Sequence, residues 1–190
     1  MKGENKLLFP INGIPMIDRI CKSVEAADFN PVFVVTGFEK KSVRFALKDR
    51  NVEFIHNRDW QSGMSTSIKK GISSLPREVS GSLIVLGDMP FISTLTLLRL
   101  KSVFEENKGK KIIYPTYHNH QANPVLFPKR YFVEILSITG DRGCKSILEC
   151  HKKESITFPV TSDEVVLDCD TKEDYLRLLK KAKELQNVAP

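Results

Sequence analysis

Two stretches of this chain, Pro31-Val32-Phe33-Val34-Val35-Thr36-Gly37 and Ser82-Leu83-Ile84-Val85-Leu86, are apolar with almost no alternation. A strand without a polar face has to be covered on both sides, so such runs demand a sheet with helices packed above and below it. The segments between them supply the helices. Over 15–28 the residues Met16, Ile17, Ile20 and Val24 recur at helical spacing, and Pro15 suits a first helical turn. The same patterning predicts further helices over 40–48, 65–74, 94–104, 131–137, 145–150 and 172–186. It predicts further strands over 52–55, 111–114, 124–127, 155–158 and 164–167. Alternating strands and helices predict a three-layer α/β fold with a mostly parallel central sheet, in a single domain spanning 1–190.

Composition narrows the function classes. With 190 residues, 41% of them hydrophobic, the chain can bury a sizeable core without staples. No apolar run approaches the roughly 20 residues that cross a bilayer, and the polar opening Met1-Lys2-Gly3-Glu4-Asn5 is unlike a secretory signal, so the expectation is a cytoplasmic protein with no membrane partner. Cys21, Cys144, Cys150 and Cys169 are scattered without a CxxC pair and read as small core or surface residues. His118 and His120 could share one side of a strand, but two imidazoles make a poor site. The net charge of +6 favours polyanions: a nucleoside triphosphate, a phosphorylated metabolite or nucleic acid. Nucleic acid ranks last, because arginine and aromatic residues do not interleave.

The chemistry concentrates where the second apolar run ends, at Gly87-Asp88-Met89-Pro90. A buried strand closed by Gly and Pro delivers a carboxylate to the rim of a sheet, where α/β proteins place ligands. Gly87 would allow a ligand close to the backbone, and Asp88 is a hard oxygen donor suited to a phosphate-bound Mg²⁺. An Asp that merely terminates a strand fits the motif equally well. Ser65, after Gly63 and Met64, is a candidate cap for the helix over 65–74, whose first amides could hold an anion.

Further motifs accompany these: Lys6-Leu7-Leu8-Phe9-Pro10, Gly13-Ile14-Pro15, Asn57-Arg58-Asp59-Trp60, Gly63-Met64-Ser65-Thr66-Ser67, Asn123-Pro124, Gly140-Asp141-Arg142-Gly143 and Asp168-Cys169-Asp170-Thr171-Lys172-Glu173-Asp174. In this order and spacing the chain resembles the molybdenum cofactor cytidylyltransferases of the wider MobA-like nucleotidyltransferase superfamily. The resemblance implies a Rossmann-like nucleotidyltransferase fold that transfers CMP from CTP to molybdopterin with release of pyrophosphate. It implies Lys6 and Asp88 as catalytic residues and Asp88 with Asp170 as ligands of Mg²⁺. It places Lys6, Gly63, Met64, Ser65, Ser67 and Gly87 against the nucleotide, and Asn123, Gly140 and Asp141 on the acceptor side. Asp168, two residues before Asp170, would share its face on a strand and serve as an outer or alternative ligand. Trp60 either lies against the nucleotide or plugs the core.

Other nucleotidyl transfers remain open, from GTP to molybdopterin or to a sugar phosphate. Departures from the family pattern sharpen the question. His120-Gln121-Ala122 lacks the glycine expected before Asn123-Pro124. More importantly, family members begin with an apolar strand and a loop of the form Ala-Ala-Gly-x-Ser-x-Arg-Met ahead of the segment matching Lys6, and this chain has neither. The apolar runs around Val32 and Leu83 must then pair directly, separate, or recruit something else. A misassigned start codon accounts for this most simply, with upstream codons encoding the strand and glycines. The alternative is a non-catalytic nucleotide-binding relative, one that helps insert cofactor into a molybdenum enzyme as a chaperone would.

Overall fold

The computed structural model describes residues 4–141 and 143–188; Met1, Lys2, Gly3, Arg142, Ala189 and Pro190 lie outside it. A 3-10 turn at Lys6–Leu8 leads into the hairpin of β1 (Pro10–Ile11) and β2 (Ile14–Pro15), then α1 (Met16–Ala26), β3 (Phe33–Thr36), α2 (Lys40–Ala46) and β4 (Glu53–His56). Next come α3 (Met64–Ser73), β5 (Gly81–Ile84), α4 (Thr94–Glu106), β6 (Ile112–Tyr117), β7 (His120–Gln121) and β8 (Val125–Pro128). The chain closes with α5 (Phe132–Ile135), α6 (Lys145–Cys150), β9 (Ser155–Pro159) and α7 (Lys172–Val188).

The three-layer α/β architecture is present, with a mixed rather than mostly parallel sheet. β3 pairs β4 in parallel and β6 pairs β9 in parallel, whereas β8 runs antiparallel to both β5 and β6. Alternation on the paired strands divides two cores. Ile112, Tyr114, Val125 and Phe127 face α3, α5 and α6, while Ile113 and Leu126 face the layer built from α1, α2 and α4. A third cluster of Ile11, Met16, Phe91, Cys169, Leu178 and Ala182 docks α7 onto the amino-terminal hairpin. The four cysteines are free, with Cys21 and Cys169 buried. No helix among the described residues is long and apolar enough to cross a membrane.

Of the three fates open to the apolar runs around Val32 and Leu83, separation is the one observed. β3 and β4 form a sheet of their own, and β5 heads the other sheet, so the facing edges of β3 and β5 share no ladder. Between them lies a cavity of about 510 Å³, lined by β3, β5, Ile17 and Ile20 of α1, and Ile68 and Ile72 of α3. Asn5 and Leu7 also line it, and Asn5 Nδ2 donates to the Phe38 carbonyl after β3.

A second correction concerns 164–167, expected as a strand. Ser162 Oγ accepts from the Glu164 amide and turns Asp163–Val165 into a 3-10 turn. That turn aims the Glu164 carboxylate at the start of α4.

Candidate active site

Lys6, Asp88 and Asp170, as much as 164 positions apart in sequence, meet at one point. Lys6 Nζ lies 2.6 Å from Asp88 Oδ2 and 2.6 Å from Asp170 Oδ1. Burial opposes the lysine's charge, but the hydrogen bonds and attraction of Asp170 and Asp88 outweigh it, and its pKa is raised. Exposure rises across the trio, from 17% for the Asp88 side chain through 31% for Lys6 to 68% for Asp170. The cluster therefore opens to solvent on the Asp170 side.

Each member is held by local structure. Around Lys6, the Asn5 side chain accepts from the Leu7 amide at 3.2 Å and the Asn5 carbonyl from the Leu8 amide at 3.0 Å, which fixes the turn and leaves a flexible stem to carry the ammonium. Asp88 follows β5 and precedes Met89, Pro90, Phe91 and Ile92, all buried. Beyond them Glu164 Oε1 accepts from the Ser93 amide at 3.2 Å, Ser93 Oγ at 2.8 Å and Thr96 Oγ1 at 2.6 Å, anchoring the loop's far end. Glu164 is a positioning residue that sequence patterning missed; only the Ser162 cap beside it was a signal.

Asp170 follows the fully buried Cys169. The helix after it is capped reciprocally: Thr171 donates to Asp174 Oδ2 through its amide at 2.9 Å and its hydroxyl at 2.7 Å, and Thr171 Oγ1 accepts from the Asp174 amide at 3.1 Å. Capping thus falls to Thr171 and Asp174 and leaves Asp170 free for Lys6. Asp168 lies on irregular chain rather than a strand. Desolvation, with the negative charges of Asp170 and Asp88, raises its carboxyl above the usual range.

Mg²⁺ takes oxygen donors, commonly one or two protein carboxylates beside phosphates. Oxygens of Asp88 and Asp170 that converge on a single cationic nitrogen suit such an ion. Among the described residues no group of three or more His, Cys, Asp or Glu side chains is placed to hold a metal ion.

The remaining expected site residues sort differently. At Gly87 a Cβ would lie 2.9 Å from Ile17 Cδ1 and 3.3 Å from Leu7 Cδ2, so the backbone there packs closely against α1 and the amino-terminal turn. Gly63 has φ +104°, and a Cβ there would meet Asp141 Oδ1 at 2.5 Å. The Met64 amide donates to Asp141 Oδ1 at 2.9 Å and the Ser65 amide to the Gly140 carbonyl at 3.1 Å. The Asp141 carboxylate therefore takes the first amide of α3, and Ser65 lies inside the helix instead of capping it. Ser65 is 2% exposed. Ser67 Oγ and Thr66 Oγ1 accept from Asn57 Nδ2. Trp60 is not a core plug: its side chain is partly exposed and leans across Gly37 beside the Phe38 ring. His118 and His120 are exposed on the β6–β7 hairpin, far in chain position from the trio.

Docking of the 140–141 turn onto α3 joins the segments assigned to the two substrates. Met64, Ile68, Leu86, Asn123, Asp141 and Lys145 line a second pocket of about 220 Å³. Its wall combines apolar side chains with polar groups at Gln121, Asn123, Asp141 and Lys145.

Residues 1–156 match the MobA-like NTP transferase domain family. The chain is 24% identical over 187 residues to the molybdenum cofactor cytidylyltransferase of Escherichia coli (strain K12), covering 96% of this chain and 91% of that protein. Among solved structures it is similar to Rv0371c from Mycobacterium tuberculosis H37Rv, with a TM-score of 0.83 and 22% identity over 94% of this chain and 90% of that one. It is also similar to the complex of Rv0371c with manganese, with a TM-score of 0.74 and 22% identity over 94% and 93% of the two chains. By a family match across most of its length, on a fold shared with these structures, the chain belongs to the MobA-like NTP transferase domain family and is a nucleotidyltransferase.

Proposed function

We propose that the chain transfers CMP from CTP to molybdopterin, releasing pyrophosphate, with Mg²⁺ as its divalent cation. The observation that carries this reading is the convergence of Asp88 and Asp170 on Lys6 Nζ, both at 2.6 Å. Nucleotidyl transfer builds negative charge on the α-phosphate and the departing pyrophosphate, so a site for it needs positive charge and hard oxygen donors at one place. Asp88 and Asp170 would hold Mg²⁺, which when bound neutralises that charge as a Lewis acid. Lys6 brings a compact ammonium to the triphosphate. The 220 Å³ pocket offers apolar side chains and the Asn123 amide to a flat heterocyclic acceptor. The printed name of the Escherichia coli relative supports the cytidylyl donor and the molybdenum cofactor acceptor, and the manganese complex of a structural neighbour supports a divalent ion.

Pyrophosphate release with Mg²⁺, measured for CTP and GTP against molybdopterin and a sugar phosphate, tests the proposal. Release with CTP and molybdopterin is expected. Release with a sugar phosphate alone overturns the acceptor, and calorimetric binding of CTP without release under any pairing replaces turnover with nucleotide binding. Asp88→Ala should lower the rate on the order of 10³-fold, the scale of losing one charge-stabilising group, with an unchanged circular dichroism spectrum. An undiminished rate would remove Asp88 from the machinery.

A further inference from the structure

We infer that Lys6 is a clasp that holds the two carboxylates in place of a divalent cation and lets go only for phosphate, so that metal and nucleotide bind cooperatively. The inference rests on the proposed use of Asp88 and Asp170 as metal ligands. Its basis is a conflict of geometry. The ammonium takes oxygens of both carboxylates at 2.6 Å, so the ion that uses those oxygens must displace it.

A cation arriving alone gains two carboxylates but strands the Lys6 ammonium, whose partners are these same two groups. An unpaired, partly buried charge is costly. A cation arriving with a triphosphate meets no such cost, because the displaced ammonium moves onto phosphate oxygens. The backbone allows this: the Asn5 bonds pin the turn while the four-carbon stem can swing. Linkage makes the effect reciprocal, since whatever nucleotide adds to metal affinity, metal adds to nucleotide affinity.

The test measures Mn²⁺ alone, by the electron paramagnetic resonance signal of the free ion, in the full chain and in Lys6→Met, Lys6→Gln and Lys6→Arg. Lys6→Met and Lys6→Gln should bind Mn²⁺ about tenfold more tightly than wild type, within the usual range of coupling between sites. Lys6→Arg, which keeps a cation in the clasp, should remain near the wild-type value. With EDTA present, Lys6→Met should bind CTP more weakly in calorimetry.

A residue that merely tethers the amino-terminal turn behaves oppositely, since its loss would loosen the site and weaken Mn²⁺ binding. Equal or weaker Mn²⁺ binding by folded Lys6→Met and Lys6→Gln overturns the clasp, as does tight Mn²⁺ binding by Lys6→Arg. If Mn²⁺ binds as expected while no pairing of nucleotide and acceptor releases pyrophosphate, the clasp stands and the proposed reaction fails.

Discussion

The central strands divide into a closed half, the sheet of β5 to β9, and an open half, the separate pair of β3 and β4. On the closed side β6 is flanked by β8 and β9, and its two faces feed two separate buried cores. On the open side β3 has a single partner, β4, and its other edge looks across about 510 Å³ at β5. Composition does not separate them, since Phe33–Thr36 and Ile112–Tyr117 are both rich in β-branched and aromatic residues. What differs is the supply of neighbours. A strand edge left unpaired forgoes a row of hydrogen bonds, and side chains around a void forgo dispersion contacts. The candidate site adjoins this boundary: Asp88 follows β5, which pairs with β8, while Asn5 and Leu7 on either side of Lys6 line the void.

Core truncation should show the contrast most strongly. Phe127→Ala on β8, at a fully buried position, is expected to cost about 3–5 kcal/mol in chemical denaturation. Val35→Ala, beside the cavity, is expected to cost about 1 kcal/mol or less. Equal losses would show that the void collapses in solution. Amide exchange offers a second measure: Phe33–Thr36 should exchange at least about 100-fold faster than Ile112–Tyr117, because opening an edge next to a void requires only local unfolding. Matching protection would abolish the distinction between the halves.

Glycine replacements sharpen it further. A Cβ at Gly81 would lie 2.6 Å from both Phe104 Cζ and the Phe127 carbonyl, so Gly81→Ala should destabilise by about 1–3 kcal/mol. A Cβ at Gly71 in α3 meets only Val35 Cγ2 at 3.3 Å, a side chain with the cavity behind it. Gly71→Ala should therefore stabilise by about 0.5–1 kcal/mol through helix propensity. A loss at Gly71 would show that Val35 cannot yield.

The smallest effect belongs to a surface clamp of the closed half. His151 Nε2 lies 2.9 Å from Glu134 and Nδ1 3.3 Å from Glu154, which also accepts from Arg130 and Tyr131. Burial opposes the imidazolium, but the two glutamates together outweigh it and raise its pKa. A raised folded-state pKa gives stability that is complete below the unfolded value of about 6.5 and lost as pH rises through the folded value. Between pH 6 and pH 8 the wild type should lose about 1–2 °C more in Tm than His151→Gln, the pair being solvent-screened. An identical pH slope would remove the clamp.

Much of this architecture was legible in the residues. The periodicity of Met16, Ile17, Ile20 and Val24 marks α1 within about two residues at either end, and the apolar runs mark β3 and β5, because each pattern answers a local rule of backbone geometry. The strand expected over 164–167 failed because the Ser162 cap and the pull of Glu164 toward Ser93 and Thr96 overrode β-propensity. Asp88 and Asp170 were legible as carboxylates at element boundaries. Ser65 misled because its cap position is filled from Asp141, 76 positions downstream in the numbering, and no local pattern announces such a partner.

The amino-acid order alone determined most of the elements, the α/β class and the chemical kinds of group available, since these follow from short-range sterics and from which faces must leave water. Tertiary structure decided what those groups touch: which anion fills the start of α3, that β3 and β5 stand apart, and that Lys6 rests between two aspartates. Such pairings depend on distances between segments up to 164 positions apart, and a distance of that kind exists only once the whole chain has packed.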